Sequence, residues 1–305
     1  MRNIFITLNT IISLSLGCFA QVGIGTITPD ASTVLDISST TQGLLIPRMT
    51  TTEREAIINP ANGLLITNTD TDCLNYFVSD TNSWFEVCGS VPVFSCGDPL
   101  VDIRDGKIYA TVEIGSQCWM AENLNIGIRI DGVNDQANNA SVEKYCYDDD
   151  SNNCDIYGGL YQWDEAMQYV TTEGVQGICP TGWHLPTDDE IIILEVEVGM
   201  LIVEANSTGD RGTNEGSKLA SHEVLWNDGV LDSDTDFGIS GFNLSPSGLR
   251  IVDGSFLSIE NSSRFWSSRE NSTSAFYRQI DDYRTTVYRG GTPKVYGLTI
   301  RCLKD

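Results

Sequence analysis

Four oxygen-bearing side chains crowd into one acidic stretch of the sequence, and their chemistry is that of a calcium site. They are Asp148, Asp150, Asn152 and Asp155. Ca²⁺ takes about 6–8 oxygen ligands from carboxylates, amides and carbonyls of a loop. The stretch lacks the glycine and the closing glutamate of an EF-hand, so a solvated acidic loop is the alternative. The cofactor is otherwise unknown, and Ca²⁺ is the one that the residue types suggest.

A second group of carboxylates lies further along the chain. Asp232, Asp234 and Asp236 alternate with small polar residues, and such a spacing places three carboxylates within reach of one cation. This segment also departs from the EF-hand pattern, and a solvated turn is again the alternative. Both groups are candidate Ca²⁺ ligands.

Aromatic residues of the C-terminal third are candidates for stacking on a ligand such as a sugar ring. They are Trp266, Tyr283 and Tyr288. Tryptophan is also a frequent core residue, so burial is the alternative interpretation for Trp266. Basic residues concentrate in the same third, at Arg264, Arg269, Arg278, Arg284, Arg289 and Arg301. They either form ion pairs with acidic neighbours or create a local site for an acidic sugar.

The sequence offers no convincing catalytic set. It has 2 histidines, His184 and His222, and neither stands in a recognisable catalytic motif. The Gly-x-Ser-x-Gly elbow of many hydrolases and the phosphate-binding P-loop are both absent from the sequence. We therefore expect a protein that is not an enzyme and assign no catalytic residue.

Cysteine positions predict four disulfides. One of the 9 cysteines, Cys18, lies in a leader-like segment, which leaves an even number for the remainder. An even set in an exported chain indicates a disulfide framework. Proximity along the chain favours the pairs Cys73–Cys88, Cys96–Cys118, Cys146–Cys154 and Cys179–Cys302.

Residues 1–20 have the composition of a secretory signal peptide. Arg2 supplies the positive start, an apolar run too short to span a bilayer follows, and Ala20 is a suitable cleavage residue. The alternative is a lipid anchor at Cys18. No later stretch of the sequence is apolar for long enough to form a transmembrane helix. We expect a secreted or cell-surface protein.

The net charge limits the partners of this chain. With 42 acidic and 18 basic residues among 305, the formal charge is −24. Such a surface repels nucleic-acid phosphates and anionic lipid headgroups. We therefore expect no nucleic-acid partner and consider a glycan or a surface protein instead. The sequence does not indicate an oligomeric state.

The chain divides into a short and a long unit. Residues 21–90 contain several short strand patterns and are expected to form a β-rich, stalk-like module. Residues 91–95 are uncharged, include a proline and are interpreted as a linker. Residues 96–305 begin and end with strand patterns and carry helical patterns between them, which is typical of an α+β fold.

Two local signals are specific enough to place elements. Residues 75–78 and 83–87 form a hairpin pattern around a polar turn. Thr187 and Glu190 have the spacing of a capping box, which predicts that a helix begins there. Residues 160–169 show helical spacing of apolar residues and predict another helix.

Several specific sequence blocks give the long unit a family resemblance. They are the segments 115–124, 157–161, 179–186, 241–248, 265–268 and 301–302, and the third reads Cys-Pro-Thr-Gly-Trp-His-Leu-Pro. Residues 96–305 thereby resemble the Fibrobacter succinogenes major paralogous domain. The resemblance implies an extracellular, disulfide-bonded, C-type-lectin-like domain without an established activity.

The short unit resembles another exported module. Gly23-Ile-Gly-Thr26, Gly43-Leu-Leu-Ile-Pro-Arg-Met-Thr50 and Gly63-Leu-Leu-Ile-Thr-Asn-Thr-Asp70 are similar to a leader module of Bacteroidetes proteins and to phage tail-fibre segments. That resemblance implies a stalk or spacer that precedes a head domain.

Three functions follow as hypotheses. The first is an exported, non-catalytic recognition module that binds a glycan or a protein at the cell surface. The second is a purely structural envelope component. The third is an oxidase similar to formylglycine-generating enzymes, which share a lectin-like architecture but need reactive cysteines.

Overall fold

A computed structural model of the chain describes residues 21–88 and 94–305, which form two compact units divided after residue 93. The predicted signal peptide lies outside the described residues, and so does most of the predicted linker. The boundary between the units nevertheless falls inside that linker, because Phe94 already belongs to the C-terminal unit.

The N-terminal unit contains six strands and one short helix. In chain order these are β1 (Val22–Ile24), β2 (Leu35–Ile37), β3 (Arg48–Met49), α1 (Thr51–Glu55), β4 (Leu65–Asn68), β5 (Cys73–Val78) and β6 (Ser83–Val87). Strands β1 and β2 form a parallel pair, and β3-β4-β5-β6 form a four-stranded sheet. The predicted hairpin is confirmed as β5 and β6.

Helix α1 covers one face of that sheet. It begins with a capping box in which the Thr50 hydroxyl accepts a hydrogen bond from the backbone N–H of Glu53. Its buried residue, Arg54, donates to the Asn75 side chain at 2.6 Å and to Glu86 at 3.0 Å. One face of the sheet is therefore covered by polar contacts with the helix.

The C-terminal unit is larger and mixes strands with short helices. In chain order these are β7 (Leu100–Val101), β8 (Ile108–Tyr109), β9 (Thr111–Ile114), β10 (Gln117–Met120), β11 (Ile128–Arg129), β12 (Glu143–Lys144), α2 (Ser151–Tyr157), α3 (Trp163–Ala166), β13 (Trp183–His184), α4 (Asp188–Glu197), α5 (Ile202–Ala205), β14 (Gly209–Arg211), α6 (Glu215–Leu219), β15 (Ser247–Arg250), β16 (Phe256–Ile259), β17 (Ser262–Asn271), β18 (Ser274–Asp281), β19 (Val287–Pro293) and β20 (Leu303–Lys304). Two short 3₁₀ segments, Tyr147–Asp149 and Glu223–Leu225, complete the unit. Among the described residues no helix has the length and apolarity needed to cross a membrane.

Two sheets organise this unit. One has six strands in the order β14-β19-β18-β17-β15-β16, and the other has four in the order β13-β20-β10-β9. Side chains alternate between the two faces of a strand, so Phe265 and Trp266 of β17 point into different apolar cores. The architecture confirms a mixed, sheet-rich α+β domain.

All four predicted disulfides are present. Cys73–Cys88 joins the two strands of the N-terminal hairpin. In the C-terminal unit the pairs are Cys96–Cys118, Cys146–Cys154 and Cys179–Cys302. The last one connects the loop before β13 to the end of the chain, and β20 lies between β13 and β10 in the smaller sheet. The chain termini of this unit are thus fixed to one sheet.

The predicted helix over residues 160–169 is wrong in extent. Helix α3 covers Trp163–Ala166, and Leu160 instead forms a β-bridge with Tyr145. Gln168 and Tyr169 have φ angles of 51° and 60°. A right-handed helix does not continue through the left-handed region, so the apolar periodicity here reflects burial rather than helix.

The long-range disulfide should contribute more stability than a local one, because a longer closed loop restricts the unfolded chain more. We expect the Cys179→Ala/Cys302→Ala double variant to lose about 4–5 kcal/mol of unfolding free energy in the loop-entropy model. The matched control, Cys146→Ala/Cys154→Ala, closes a loop with a separation of 8 residues rather than 123. It should lose roughly 2.5 kcal/mol. Guanidinium titration measures both, and equal losses would contradict the argument.

Candidate functional site

Helix α4 carries two carboxylates on its buried side. Asp188 and Glu195 are fully buried, and they share a stripe of the helix with Ile191 and Ile192. Residues separated by three, four and seven positions lie on the same face of an α-helix. The stripe that faces the six-stranded sheet is therefore part apolar and part anionic. The capping box of Thr187 and Glu190 is confirmed at its start.

Three buried arginines of the sheet receive these carboxylates. Arg278 of β18 donates to Asp188 at 2.7 Å and to Glu195 at 2.6 Å, so one guanidinium bridges both acids. Arg211 of β14 forms a bidentate pair with Glu195 at 2.6 and 2.8 Å. Arg289 of β19 binds Asp188 through Nε at 3.1 Å and through Nη2. We call these five residues the buried ion network.

The network carries one surplus positive charge, because three guanidiniums meet two carboxylates. Burial by itself disfavours the ionised acid, but hydrogen bonds and charges from Arg289 and Arg278 outweigh it and lower the pKa of Asp188 to about 2. Arg289 also donates to the carbonyl oxygens of Asn206 and Ser207, at 3.1 and 3.0 Å. The Arg289 guanidinium thus directs its hydrogen bonds to groups of the protein itself.

A histidine connects the start of α4 to the last strand. His184 bonds the Asp305 carboxylate through Nδ1 at 2.7 Å and Glu190 through Nε2 at 3.1 Å. The Glu190 hydrogen bond raises the pKa of His184 despite its burial, and Asp305 adds to that effect. His184 is a structural link between two elements, with carboxylates rather than backbone groups as partners.

Beside the network, residues of β18 and β19 line an open groove. Its cavity volume is about 420 Å³, and its wall includes the start of β14. Phe276 and Tyr288 are its aromatic residues, and both are half-buried. The guanidiniums of Arg269 and Arg289 lie 5.6 and 5.1 Å from the centre of the Phe276 ring, which holds that ring in place. We call this cavity the Phe276 groove.

A glycine shapes the groove beside Tyr288. A Cβ atom at Gly290 would come within 2.6 Å of the Tyr288 ring, so a larger residue would displace that ring. The adjacent Gly291 is exposed, and a Cβ atom there would lie 3.8 Å from Ser274 Cβ, an ordinary van der Waals contact. Gly290 is thus buried against the Tyr288 ring, whereas Gly291 leaves β19 without a side chain on the opposite face, beside Phe276.

Polar groups around the groove remain available for a ligand. Thr208, Asn271, Ser274 and the Tyr288 hydroxyl line it, and their side chains form no hydrogen bond with any residue that the structure describes. Ligand sites commonly combine apolar rings with a few such polar groups. The lining contains no carboxylate.

The three aromatic residues that the sequence suggested as ligand-binding lie in three different environments. Tyr288 lies in the groove, as described. Trp266 is fully buried and donates its indole N–H to the Tyr161 carbonyl at 2.8 Å, so it has no face for a ligand. Its assignment as a ligand-binding residue is corrected to a core residue. Tyr283 is 66% exposed and lies 5.3 Å from Arg284, away from the groove.

The first acidic segment serves local structure. Asp150 caps helix α2 by accepting from the Asn152 backbone N–H at 2.9 Å. Asp148 belongs to the 3₁₀ segment, and Asp155 is exposed beside Lys107 at 4.0 Å. Within the described ranges, the three aspartates do not bring their carboxylate oxygens to within 4.8 Å of one another. The Ca²⁺ hypothesis gains no geometric support here and stays a prediction.

The second acidic segment behaves similarly. Asp232 accepts from the Gly229 backbone N–H at 2.7 Å. Asp234 and Asp236 both accept from the Asn214 side-chain amide, at 3.4 and 3.0 Å. In the part of the chain that the structure covers, these three carboxylates also do not meet as a cluster. A cation here likewise remains a prediction.

Comparison with known proteins decides the family of the long unit. Residues 112–304, more than half of the chain, match the model of the Fibrobacter succinogenes major domain. The chain belongs to this family. The Fibrobacter succinogenes major domain has no established function, so membership assigns none. Residues 23–98 match a model described as a phage tail like trimerisation region. No curated protein and no solved structure matches the chain.

Sequence interpretation missed the buried ion network of this Fibrobacter succinogenes major domain. A signal existed, because Asp188 and Glu195 stand seven residues apart on the stripe that also holds Ile191. Two acids within an otherwise apolar stripe, in a chain with arginine-rich strands, predict buried ion pairs. The groove gave a weaker signal, since its residues come from separate strands.

Removal of Arg278 should destabilise the domain strongly, because Asp188 and Glu195 would each lose a charge-assisted hydrogen bond inside the buried network. For Arg278→Met we expect a loss of about 3–5 kcal/mol in unfolding free energy. Arg269→Met is the matched control, since Arg269 also contacts Asp188, at 3.4 Å, but its side chain is 45% exposed. Its loss should be under ~1 kcal/mol. Urea titration of both variants checks this, and similar losses would contradict the assigned role.

Proposed function

We propose that this chain is an exported, non-catalytic recognition protein whose lectin-like C-terminal unit binds a glycan in the Phe276 groove. The observation that carries the proposal is the set of uncommitted polar side chains that line the groove together with Phe276. The side chains of Thr208, Asn271 and Ser274 and the Tyr288 hydroxyl form no hydrogen bond with a described residue, and they line an open cavity of about 420 Å³.

A sugar fits this chemistry better than a charged ligand does. An apolar face of a pyranose ring can lie on the Phe276 ring, while its hydroxyls exchange hydrogen bonds with the amide and hydroxyl side chains that line the groove. The nearest buried cation, Arg289, already donates to Asp188 and to two backbone carbonyls. An anionic ligand would therefore find few free donors on that guanidinium, and we assign a neutral glycan.

The proposed binding does not require calcium. The groove is lined by hydroxyl, amide, aromatic and guanidinium side chains and by glycines, without a carboxylate. Hard cations such as Ca²⁺ need oxygen ligands, with carboxylates prominent among them. The acidic segments around Asp150 and Asp234 belong to other parts of the unit's chain and do not contribute to the groove lining.

The cysteines support export and argue against the oxidase alternative. The eight cysteines that the structure describes all form disulfides, which is typical of an oxidising compartment. An oxidase of the formylglycine-generating kind needs reactive thiols, and none of these eight is free. The recognition hypothesis is therefore favoured over that alternative.

Tyr288 should be the most sensitive position for glycan binding, because it contributes both a ring and a free hydroxyl to the groove. On an array of neutral oligosaccharides, Tyr288→Ala should reduce affinity about ten-fold or more, which corresponds to roughly 1.4 kcal/mol. Asn271→Ala, at an exposed position without structural hydrogen bonds, should also reduce it. Binding by the wild type should be unchanged when EDTA replaces Ca²⁺.

Tyr283→Ala is the matched control for this experiment. It removes the same type of side chain five residues earlier, outside the groove, and should leave binding unchanged. A loss with Tyr283→Ala but not with Tyr288→Ala or Asn271→Ala would place the site elsewhere. Binding abolished by EDTA would favour the acidic segments, and no binding to any oligosaccharide would reject the glycan assignment.

A second function, assembly into an oligomeric stalk, is favoured by the N-terminal unit. The sheet face opposite helix α1 is apolar and uncovered within that unit. It carries Leu65, Leu74, Tyr76, Phe85 and Val87, which the strand register places side by side. Phe85 and Val87 are 43% and 54% exposed.

Copies of the same chain are the occupants we assign to this face. Contiguous exposed apolar surface marks interaction sites in soluble proteins, and the neighbouring segments add further exposed apolar residues such as Leu44 and Leu45. The match of residues 23–98 to a phage tail like trimerisation region points to three copies. The N-terminal unit would then hold several recognition units together and raise their avidity.

Light scattering after size exclusion tests this assembly on the exported chain. We expect the wild type to have the mass of a trimer, and Phe85→Glu to be monomeric, because a charge at the centre of an apolar interface is costly to bury. Ile103→Glu is the control, since Ile103 is 89% exposed but belongs to the other unit. It should remain trimeric. A monomeric wild type, or dissociation by the control alone, would contradict the assignment.

A further inference from the structure

Lys144, the last residue of strand β12, is a buried lysine without an acidic partner. It is 9% exposed, and among the described residues no carboxylate lies within ion-pair distance of its amine. Lysine is rarely buried unless it is paired with a charge. Its Nζ instead contacts one asparagine, at 2.5 Å from Asn125 Oδ1 and 3.0 Å from the Asn125 backbone oxygen.

Asn125 is held in one orientation by its surroundings. It is also buried, its side-chain Nδ2 donates to the Cys154 carbonyl at 2.8 Å, and its backbone N–H donates to the Tyr109 hydroxyl at 3.0 Å. The acceptor of the first bond belongs to Cys154, and the disulfide Cys146–Cys154 ties it to Cys146, two residues beyond Lys144. Since Oδ1 is bonded to Cγ, this arrangement places the lysine amine next to the amide carbon.

The surroundings of Lys144 favour the neutral, nucleophilic form of its amine. Burial and the nearby positive charge of Lys107 lower the pKa of Lys144 to about 8, against weaker opposing contributions from Asp105 and Asp155. Lys107 Nζ donates to the same backbone oxygen of Asn125, at 3.0 Å. Desolvation and a neighbouring cation are the two means by which lysine nucleophiles are activated in proteins.

We propose that Lys144 and Asn125 react with each other to form an intramolecular isopeptide bond. Held groups that need no diffusion to meet react with effective concentrations far above those in solution. Three features of the pair favour the reaction: contact between amine and amide, burial of both partners, and the absence of an ion pair that would keep the lysine protonated.

The reaction is balanced without an added reagent. The lone pair of the neutral Nζ attacks Cγ of Asn125 and forms the new C–N bond. The Cγ–Nδ2 bond breaks, its electron pair leaves with nitrogen, and a proton from Nζ completes the departing ammonia. The Lys107 ammonium, which shares an acceptor with Lys144, is placed to relay a proton. No group is oxidised or reduced.

The product would be a covalent link between two loop segments of the C-terminal unit. It joins the segment after β10 to the end of β12, and the adjacent disulfide closes the next stretch of chain. The two links together would fix residues 125–154 at their base. This inference does not depend on the glycan or the assembly proposal.

Peptide mapping of the purified, full-length exported chain tests the bond. After reduction, denaturation and trypsin digestion, we expect mass spectrometry to find a branched peptide that contains both Asn125 and Lys144 and lacks one ammonia. Cyclisation of another Asn or Gln also releases ammonia, so the branched fragment rather than the intact mass decides. Lys144→Arg should abolish the branched peptide, and Lys218→Arg, at a half-buried lysine bonded to a backbone carbonyl, should retain it.

The wild-type digest is decisive even if a variant fails to fold. Separate linear peptides for Asn125 and Lys144, recovered in full yield from folded wild-type protein, would overturn the proposal. A branched peptide that joins Asn125 to Lys107 instead would also overturn it, because it would assign the nucleophile to the other lysine.

Discussion

The C-terminal unit depends on two carboxylates that a helix buries against a sheet. Asp188 and Glu195 have no contact with solvent, and an unpaired acid in that position would be costly. Arg278, Arg211 and Arg289 come from three neighbouring strands and satisfy both acids. Because guanidinium geometry is planar and directional, these contacts fix the rotation of α4 as well as its position. An apolar interface of the same size would tolerate other rotations more readily.

The same ion network supports the groove, because Phe276 lies on the face of the sheet that also carries Arg278 and Arg289. Arg289 binds Asp188 and two carbonyl oxygens, and its guanidinium also lies against the Phe276 ring. A side chain so restrained is a rigid support, and rigid supports favour binding sites that are formed before the ligand arrives. The proposed glycan site thus uses the arginine for position and the neighbouring hydroxyl and amide groups for hydrogen bonds. The N-terminal unit has a different physical character, since one face of its sheet is covered by Arg54 and α1 and the other is apolar and open.

Much of the covalent and local structure was predictable. Cysteine proximity predicted all four disulfides, because short separations favour pairing and one pair then remained. The Thr187–Glu190 spacing located the start of α4, since a capping box involves residues within one turn. Of the residues that the sequence suggested for ligand binding, Tyr288 lies in the groove. Trp266 was misassigned, because its type alone does not distinguish a core tryptophan from one that binds a ligand.

The sequence by itself determined the family, the disulfide framework, the α+β class and the local helix and hairpin signals, because each depends on residue types at short or fixed separations. Only the tertiary structure decided which face each side chain occupies. Burial of Asp188 with arginines 90 and 101 residues away, the grouping of Phe276 with Asn271 in one groove, and the contact of Lys144 with Asn125 all depend on how strands pair and stack. Those contacts arise from long-range register and packing, which no local spacing in the chain specifies.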